Sequence, residues 1–184
     1  VAGYIPRIGA MIDAVHRQRQ VSHRTFLEGL AGGPAASLKC GVGFADLTGF
    51  TALTQVLSSA ELAALLTDFA GTVADVVHTD GGRVVKFIGD AVMWVSATGD
   101  LLANAAIDLV NNPKARKAGL QVRAGLAYGE MLAINGDYFG TPVNLAARLV
   151  DAAVPGQVLA STCVRHELPD WPAILQEPLT LKGF

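Results

Sequence analysis

The chain has 184 residues, enough for one domain of ordinary size with a short extension. Hydrophobic residues make up 51% of it and charged residues 16%, so a sizeable core can form and a disordered chain is excluded. The formal net charge of -2 carries no basic bias toward nucleic acid, and no apolar run reaches the roughly 18 residues that a membrane-spanning helix needs.

In chain order, Ile5, Ile8, Ile12 and Val15 recur at helical spacing in a segment biased toward positive charge by Arg7, Arg17, Arg19 and Arg24. Residues 1–33 are read as a helical lead-in that joins a regulatory domain, and residues 34–184 as the domain proper, with the break at Gly32-Gly33-Pro34. Lys39 to Ala45 reads as a buried strand ending at Asp46, and Thr48 to Leu57 as a short helix. Ser58 and Glu61 have the spacing of a capping box. Leu62, Leu65, Leu66, Phe69, Val73, Val76 and Val77 then line one face of a helix that Gly81-Gly82 ends.

Arg83–Phe87 and Ala91–Ser96 are expected as two strands about a tight turn, Ile88-Gly89-Asp90. A helix over Leu101–Asn111 and a strand over Leu120–Ala127 complete a β-α-β-β-α-β order. That order predicts an α+β fold with a ferredoxin-like antiparallel sheet and helices on one face. A strand over Met131–Ile134, a loop carrying Asp137, and a helix over Pro142–Ala152 with Thr141 as N-cap follow. Residues 157–184 supply one or two strands and a short helix.

Asp46 ends the first strand and Asp90 lies in the hairpin turn. In this topology those strands are neighbours, so both carboxylates converge at one end of the sheet. With no cation near them in sequence they repel each other, and a hard divalent cation such as Mg²⁺ relieves that repulsion through oxygen ligands. Leu47-Thr48-Gly49-Phe50-Thr51 follows Asp46 and opens a helix, whose free N–H groups suit a phosphate. Metals beside a phosphate cradle point to phosphoryl or nucleotidyl transfer. Asn144 and Arg148 are four apart and share a helix face. Cys40 and Cys163 form no CxxC or Cys/His cluster, so neither a zinc site nor a disulfide framework is expected; both stay reduced in a cytoplasmic protein. The chain opens on Val1 without a signal-peptide pattern and is read as part of a longer protein.

Four stretches, in order, resemble the motifs of class III nucleotidyl cyclases. Phe44-Ala-Asp-Leu-Thr-Gly-Phe-Thr51 and Lys86-Phe-Ile-Gly-Asp-Ala-Val-Met93 are similar to the family's two metal-binding motifs. Gly140-Thr-Pro-Val-Asn-Leu-Ala-Ala-Arg148 is similar to its transition-state motif, and Leu181-Lys-Gly183 to its phosphate-binding lysine strand. The short segment between Tyr128 and Gly140 resembles the bacterial, mycobacterial-type branch with a shortened dimerisation arm.

The resemblance implies an adenylate cyclase that converts ATP to cyclic AMP with two divalent cations, Mg²⁺ or Mn²⁺, in a homodimer with shared sites. Asp46 and Asp90 would hold the metals, with the Leu47 carbonyl. The backbone of Leu47, Thr48, Gly49, Phe50 and Thr51 would bind phosphates, and Lys182 the terminal ones. Asn144 would position the ribose and Arg148 would stabilise charge at the α-phosphate. Lys86 and Asp137 would read the base: adenine offers a donor at N6 to Asp137 and an acceptor at N1 to Lys86, whereas guanine offers the reverse. Glu130, in a Tyr128-Gly129-Glu130 turn, departs from relatives that carry arginine there. A diguanylate cyclase would need a Gly-Gly-Asp/Glu-Glu-Phe turn where this chain has Phe87-Ile-Gly-Asp-Ala. A silent nucleotide-binding or dimerisation module, and a guanylate cyclase, are the alternatives.

Overall fold

The computed structural model describes residues 36–184 apart from Ala118, Lys182 and Phe184. The expected lead-in helix over 1–33 and the proposed phosphate lysine, Lys182, lie outside the described residues.

The elements run β1 (Ala36–Thr48), α1 (Phe50–Leu53), α2 (Ser59–Thr79), β2 (Arg83–Ile88), β3 (Ala91–Ser96), α3 (Gly99–Val110), α4 (Pro113–Lys117), β4 (Gln121–Ile134), β5 (Asp137–Phe139), α5 (Thr141–Ala152), β6 (Val158–Ala160) and α6 (Thr162–Glu167). The sheet order is β2-β3-β1-β4-β5, with β6 parallel to β4 and all other pairs antiparallel. Within it, β2-β3-β1-β4 with α2 and α3 is the expected α+β, ferredoxin-like unit.

The alternation of side chains along β1 explains the layers. Ala45 and Leu47 point to one face, where Val73 and Val77 of α2, Leu102 and Leu109 of α3, and Trp94 complete a core. Cys40, Val42 and Phe44 point to the other, against Met93, Tyr138, Ala146 and Val150. The βαββαβ unit thus keeps its helices on one face, as expected, but α5 adds a third layer on the opposite face. Gly125 makes that layer possible: a Cβ there would lie 2.3 Å from the Val150 nitrogen and 2.4 Å from the Ala146 oxygen, so only glycine lets α5 ride on β4.

The Ser58–Glu61 capping box forms as expected, with Ser58 N donating to Glu61 Oε2 at 2.9 Å and Glu61 N to Ser58 Oγ at 3.3 Å. Other boundaries differ. The two strands expected over 120–127 and 131–134 are one strand, β4, because β1 pairs with it without interruption from Ala36↔Ala133 to Thr48↔Gln121. Tyr128-Gly129-Glu130 is therefore strand, not turn. Helix α1 is shorter than Thr48–Leu57 because Thr48 still belongs to β1. Asp137 opens β5 rather than sitting in a loop, and the turn before it uses left-handed Asn135 and Gly136, at φ 52 and 82°. The α5 N-cap is Gly140, with Thr141 inside the helix and no side-chain cap. Among the described residues no helix is long and apolar enough to cross a membrane.

Candidate active site

Strand pairing decides where the two sequence-predicted aspartates stand. Asp46 faces Ala91 across the β1–β3 ladder, and Asp90 precedes Ala91 in the hairpin turn. The Asp90 carboxyl is pushed above its ordinary range, first by burial. Its own backbone N–H opposes that rise, the charge of Asp46 adds to it, and Arg123 partly offsets it. The two carboxylates therefore sense each other, as the topology required. No cation is near them in sequence, but the fold supplies one, because Arg123 Nη2 lies 2.6 Å from Asp46 Oδ2. Arg123 is distant in sequence but stands opposite Asp46 in the β1–β4 register.

The donor set fits a particular kind of cation. Two carboxylates at a strand end suit a hard ion that takes its remaining oxygen ligands from water or phosphate. Among the described residues no group of three or more His, Cys, Asp or Glu is placed to hold a metal by protein ligands alone. Leu47 buries its side chain in the helix-side core, leaving only its backbone for a ligand.

The segment after Asp46 turns sharply. Thr48 Oγ1 donates to the Gln121 carbonyl at 2.8 Å, which ties the end of β1 to the start of β4. Gly49 then adopts φ 88°, in the left-handed region, and α1 begins at Phe50 with no side-chain cap on its first N–H groups. Gly49 and Thr51 are exposed and Thr48 and Phe50 partly so, which leaves this backbone accessible at the aspartate end of the sheet.

Lys86 and Asp137, fifty-one residues apart, meet directly. Lys86 Nζ donates to Asp137 Oδ2 at 2.5 Å, joining β2 to β5. The other oxygen, Oδ1, accepts the Tyr138 N–H at 2.8 Å. Burial pushes the Asp137 carboxyl up, but the Lys86 bond, the Tyr138 N–H and the Lys86 charge together outweigh it and hold the group below its usual range. Arg83 braces the same corner: Nη2 donates to Tyr138 Oη at 3.0 Å and to the Gly136 carbonyl at 3.5 Å, and the guanidinium lies 5.4 Å from the centre of the Tyr138 ring.

On α5, Asn144 and Arg148 share the exposed face while Ala146, Leu149 and Val150 face inward. Arg148 Nη1 lies 3.6 Å from Asp151 Oδ2, a pair in which both side chains are largely in solvent. Among the described residues no hydrogen bond or ion pair within the chain joins Asn144 or Arg148 to Asp46 or Asp90. Glu130 is exposed, opposite Lys39 in the β1–β4 ladder. Cys40 is buried and Cys163 exposed, and neither is bonded to another cysteine.

Sequence reasoning missed Arg123, Arg83 and Tyr138. Arg123 carried a signal: it is a charged residue in an apolar run, Val122 to Ala127, on a strand already expected. Only the register showed that it faces Asp46.

Known proteins agree with this architecture. The profile of the adenylate and guanylate cyclase catalytic domain matches residues 35–175. A Mycobacterium tuberculosis H37Rv protein described as uncharacterised is 64% identical over 183 residues, covering 100% of this chain and 48% of its own length. The adenylate cyclase of Streptomyces coelicolor is 41% identical over 127 residues, 69% of this chain and 33% of its own. The chain thus spans about half or less of the curated relatives it matches. In fold it is similar to the adenylyl cyclase CyaB of P. aeruginosa, with a TM-score of 0.70 and 23% identity over 83% of this chain and 91% of that one. The chain belongs to the adenylate and guanylate cyclase catalytic domain family.

Proposed function

We propose that this domain is an adenylate cyclase, forming 3′,5′-cyclic AMP and pyrophosphate from ATP in a homodimer with two shared sites. The observation that carries the reading is the placement of Asp46 beside Asp90 at the sheet end, with Lys86 and Asp137 paired on the same chain. Several relatives named adenylate cyclase support the choice of ATP. The exposed position of Asn144, which has no side-chain partner among the described residues, supports a site completed by a second copy.

In this reading the ribose 3′-hydroxyl gives its proton to solvent, its oxygen attacks the α-phosphorus in line, the bond from that phosphorus to the bridging oxygen breaks, and pyrophosphate departs. Divalent cations, Mg²⁺ or Mn²⁺, held by Asp46 and Asp90, supply Lewis acidity toward the 3′-hydroxyl and the triphosphate when bound. The rest falls to side chains and backbone. The turn from Leu47 to Thr51 offers N–H groups to the β- and γ-phosphates, and Lys182 adds charge there. Arg148 of the second copy offers its fork to the α-phosphate as negative charge gathers, while Asn144 orients the ribose. Asp137 accepts from adenine N6 and Lys86 donates to N1. Residues 1–33 serve as the link to a regulatory domain, and the unpaired thiols of Cys40 and Cys163 suit a reducing cytoplasm.

The test is direct: purified protein with Mn²⁺ and ATP, followed by chromatography of the products. Cyclic AMP with equimolar pyrophosphate supports the reading. Absence of any cyclic nucleotide, with ATP bound, would favour a silent nucleotide-binding module, and cyclic GMP from GTP at equal efficiency would favour a guanylate cyclase.

A further inference from the structure

Arg123 is held from two sides. Its Nε and Nη2 both donate to one oxygen of Asp46, Oδ2, at 3.0 and 2.6 Å. Its Nη1 donates to the carbonyls of Asp151 and Ala153 at 3.0 and 3.3 Å. Those carbonyls belong to the end of α5, where a helix leaves acceptors without intrahelical donors and favours a cation. The guanidinium is rigid and planar with five N–H donors. Anchored to α5 on one edge, it cannot follow Asp46 if that carboxylate turns toward something else. The Arg123 and Asp46 side chains are only 24% and 18% exposed, so the pair is not a solvent-screened surface contact. Among the described residues Asp46 Oδ1 takes no hydrogen bond, and it is left available for a ligand.

The protein itself therefore supplies the aspartate pair with a positive charge. A divalent cation arriving at Asp46 meets that charge as a like charge fixed nearby, and screening by water is weak at this burial. The triphosphate changes the balance, because its negative charges compensate both cations at once.

We propose that Arg123 is a positioning residue that acts as the built-in counter-cation of Asp46 and Asp90, clamping one oxygen of Asp46 to the end of α5 and keeping divalent-cation affinity low until nucleotide binds. The proposal rests on Asp46 and Asp90 being the metal ligands, and the experiment separates the two ideas. Mn²⁺ alone is titrated into nucleotide-free protein, and free Mn²⁺ is read by electron paramagnetic resonance. The variants are Arg123→Gln, Arg123→Lys and Asp46→Ala, with folding checked by far-UV circular dichroism. Arg123→Gln removes the charge and should tighten Mn²⁺ binding about tenfold. Arg123→Lys keeps the charge and should stay within about threefold of the unmodified chain. A merely structural arginine would do the opposite, because its loss would loosen the site and weaken binding. Unchanged, weaker or absent Mn²⁺ binding in Arg123→Gln overturns the proposal. If that variant does not fold, Arg123→Met, which keeps an apolar stem without charge, faces the same criterion. Should Asp46→Ala bind Mn²⁺ as the unmodified chain does, the metal-ligand reading itself fails.

Discussion

Lys86 and Asp137 are bonded to each other, Nζ to Oδ2, across two strands distant in sequence. Each thereby orients the other, as the proposed base recognition would require. Asp137 is further fixed by the Tyr138 N–H, and Tyr138 by Arg83. Discrimination in such a site comes from preorganised donors and acceptors, whose mispairing with the wrong base leaves polar groups unsatisfied. Substituting one partner should cost twice, by removing a contact to adenine and by releasing the other partner.

Lys86→Ala and Asp137→Ala are each expected to lower kcat/KM for ATP by about 10- to 100-fold, without a gain in GTP use. Exchanging both, Lys86→Glu with Asp137→Cys, reverses the donor pattern and should admit GTP while depressing ATP. Steady-state comparison of the two nucleotides checks this. Equal use of ATP and GTP by the unmodified protein contradicts the base-reading roles.

The same pair predicts a pH effect. Asp137 has a depressed folded-state pKa, so its contribution to stability is complete above the ordinary carboxylate value near 4. That contribution is lost as pH falls through the depressed value. The side chains are 40% and 32% exposed, so solvent screening keeps the effect below about 1 kcal/mol. Urea unfolding should show Asp137→Asn less stable than the unmodified chain at pH 7, with the gap closing as pH falls below the ordinary carboxylate range. A gap that widens on acidification contradicts the assigned direction.

Packing gives a larger prediction. Gly125→Ala would drive a methyl group into the backbone of α5, at Ala146 and Val150. The neighbours are main-chain atoms and cannot swing aside as a side chain would. A loss of roughly 3 kcal/mol is expected, read as a lower urea midpoint at unchanged slope. By contrast, Ser58→Ala removes one half of an exposed capping box and should cost about 1 kcal/mol.

The βαββαβ order of the core was legible because periodicity and turn residues agree along the chain, whereas the edge strand β5 was expected as a loop. Ser58 and Glu61 announced α2. The continuity of β4 was not legible, because Gly129 reads locally as a break and only pairing with Cys40 keeps it extended. The meeting of Lys86 with Asp137 was anticipated only as a shared role, through resemblance. The ion pair itself depends on the β4–β5 hairpin folding over β2. Arg123 stayed hidden for the same reason: a residue's partner across a ladder depends on register, which a single strand's sequence does not state.

The shared-site account is tested most directly by mixing two variants, Asp46→Ala and Arg148→Ala, each inactive alone, and measuring cyclic AMP after subunit exchange. In a mixed dimer, one site would take Asp46 from the second chain and Arg148 from the first, both intact, while the other site loses both. With half the dimers mixed and one of two sites working in each, the account predicts recovery of about a quarter of the unmodified activity. No recovery, with mixed dimers demonstrated by differential tags, would contradict it and place each complete site within a single chain.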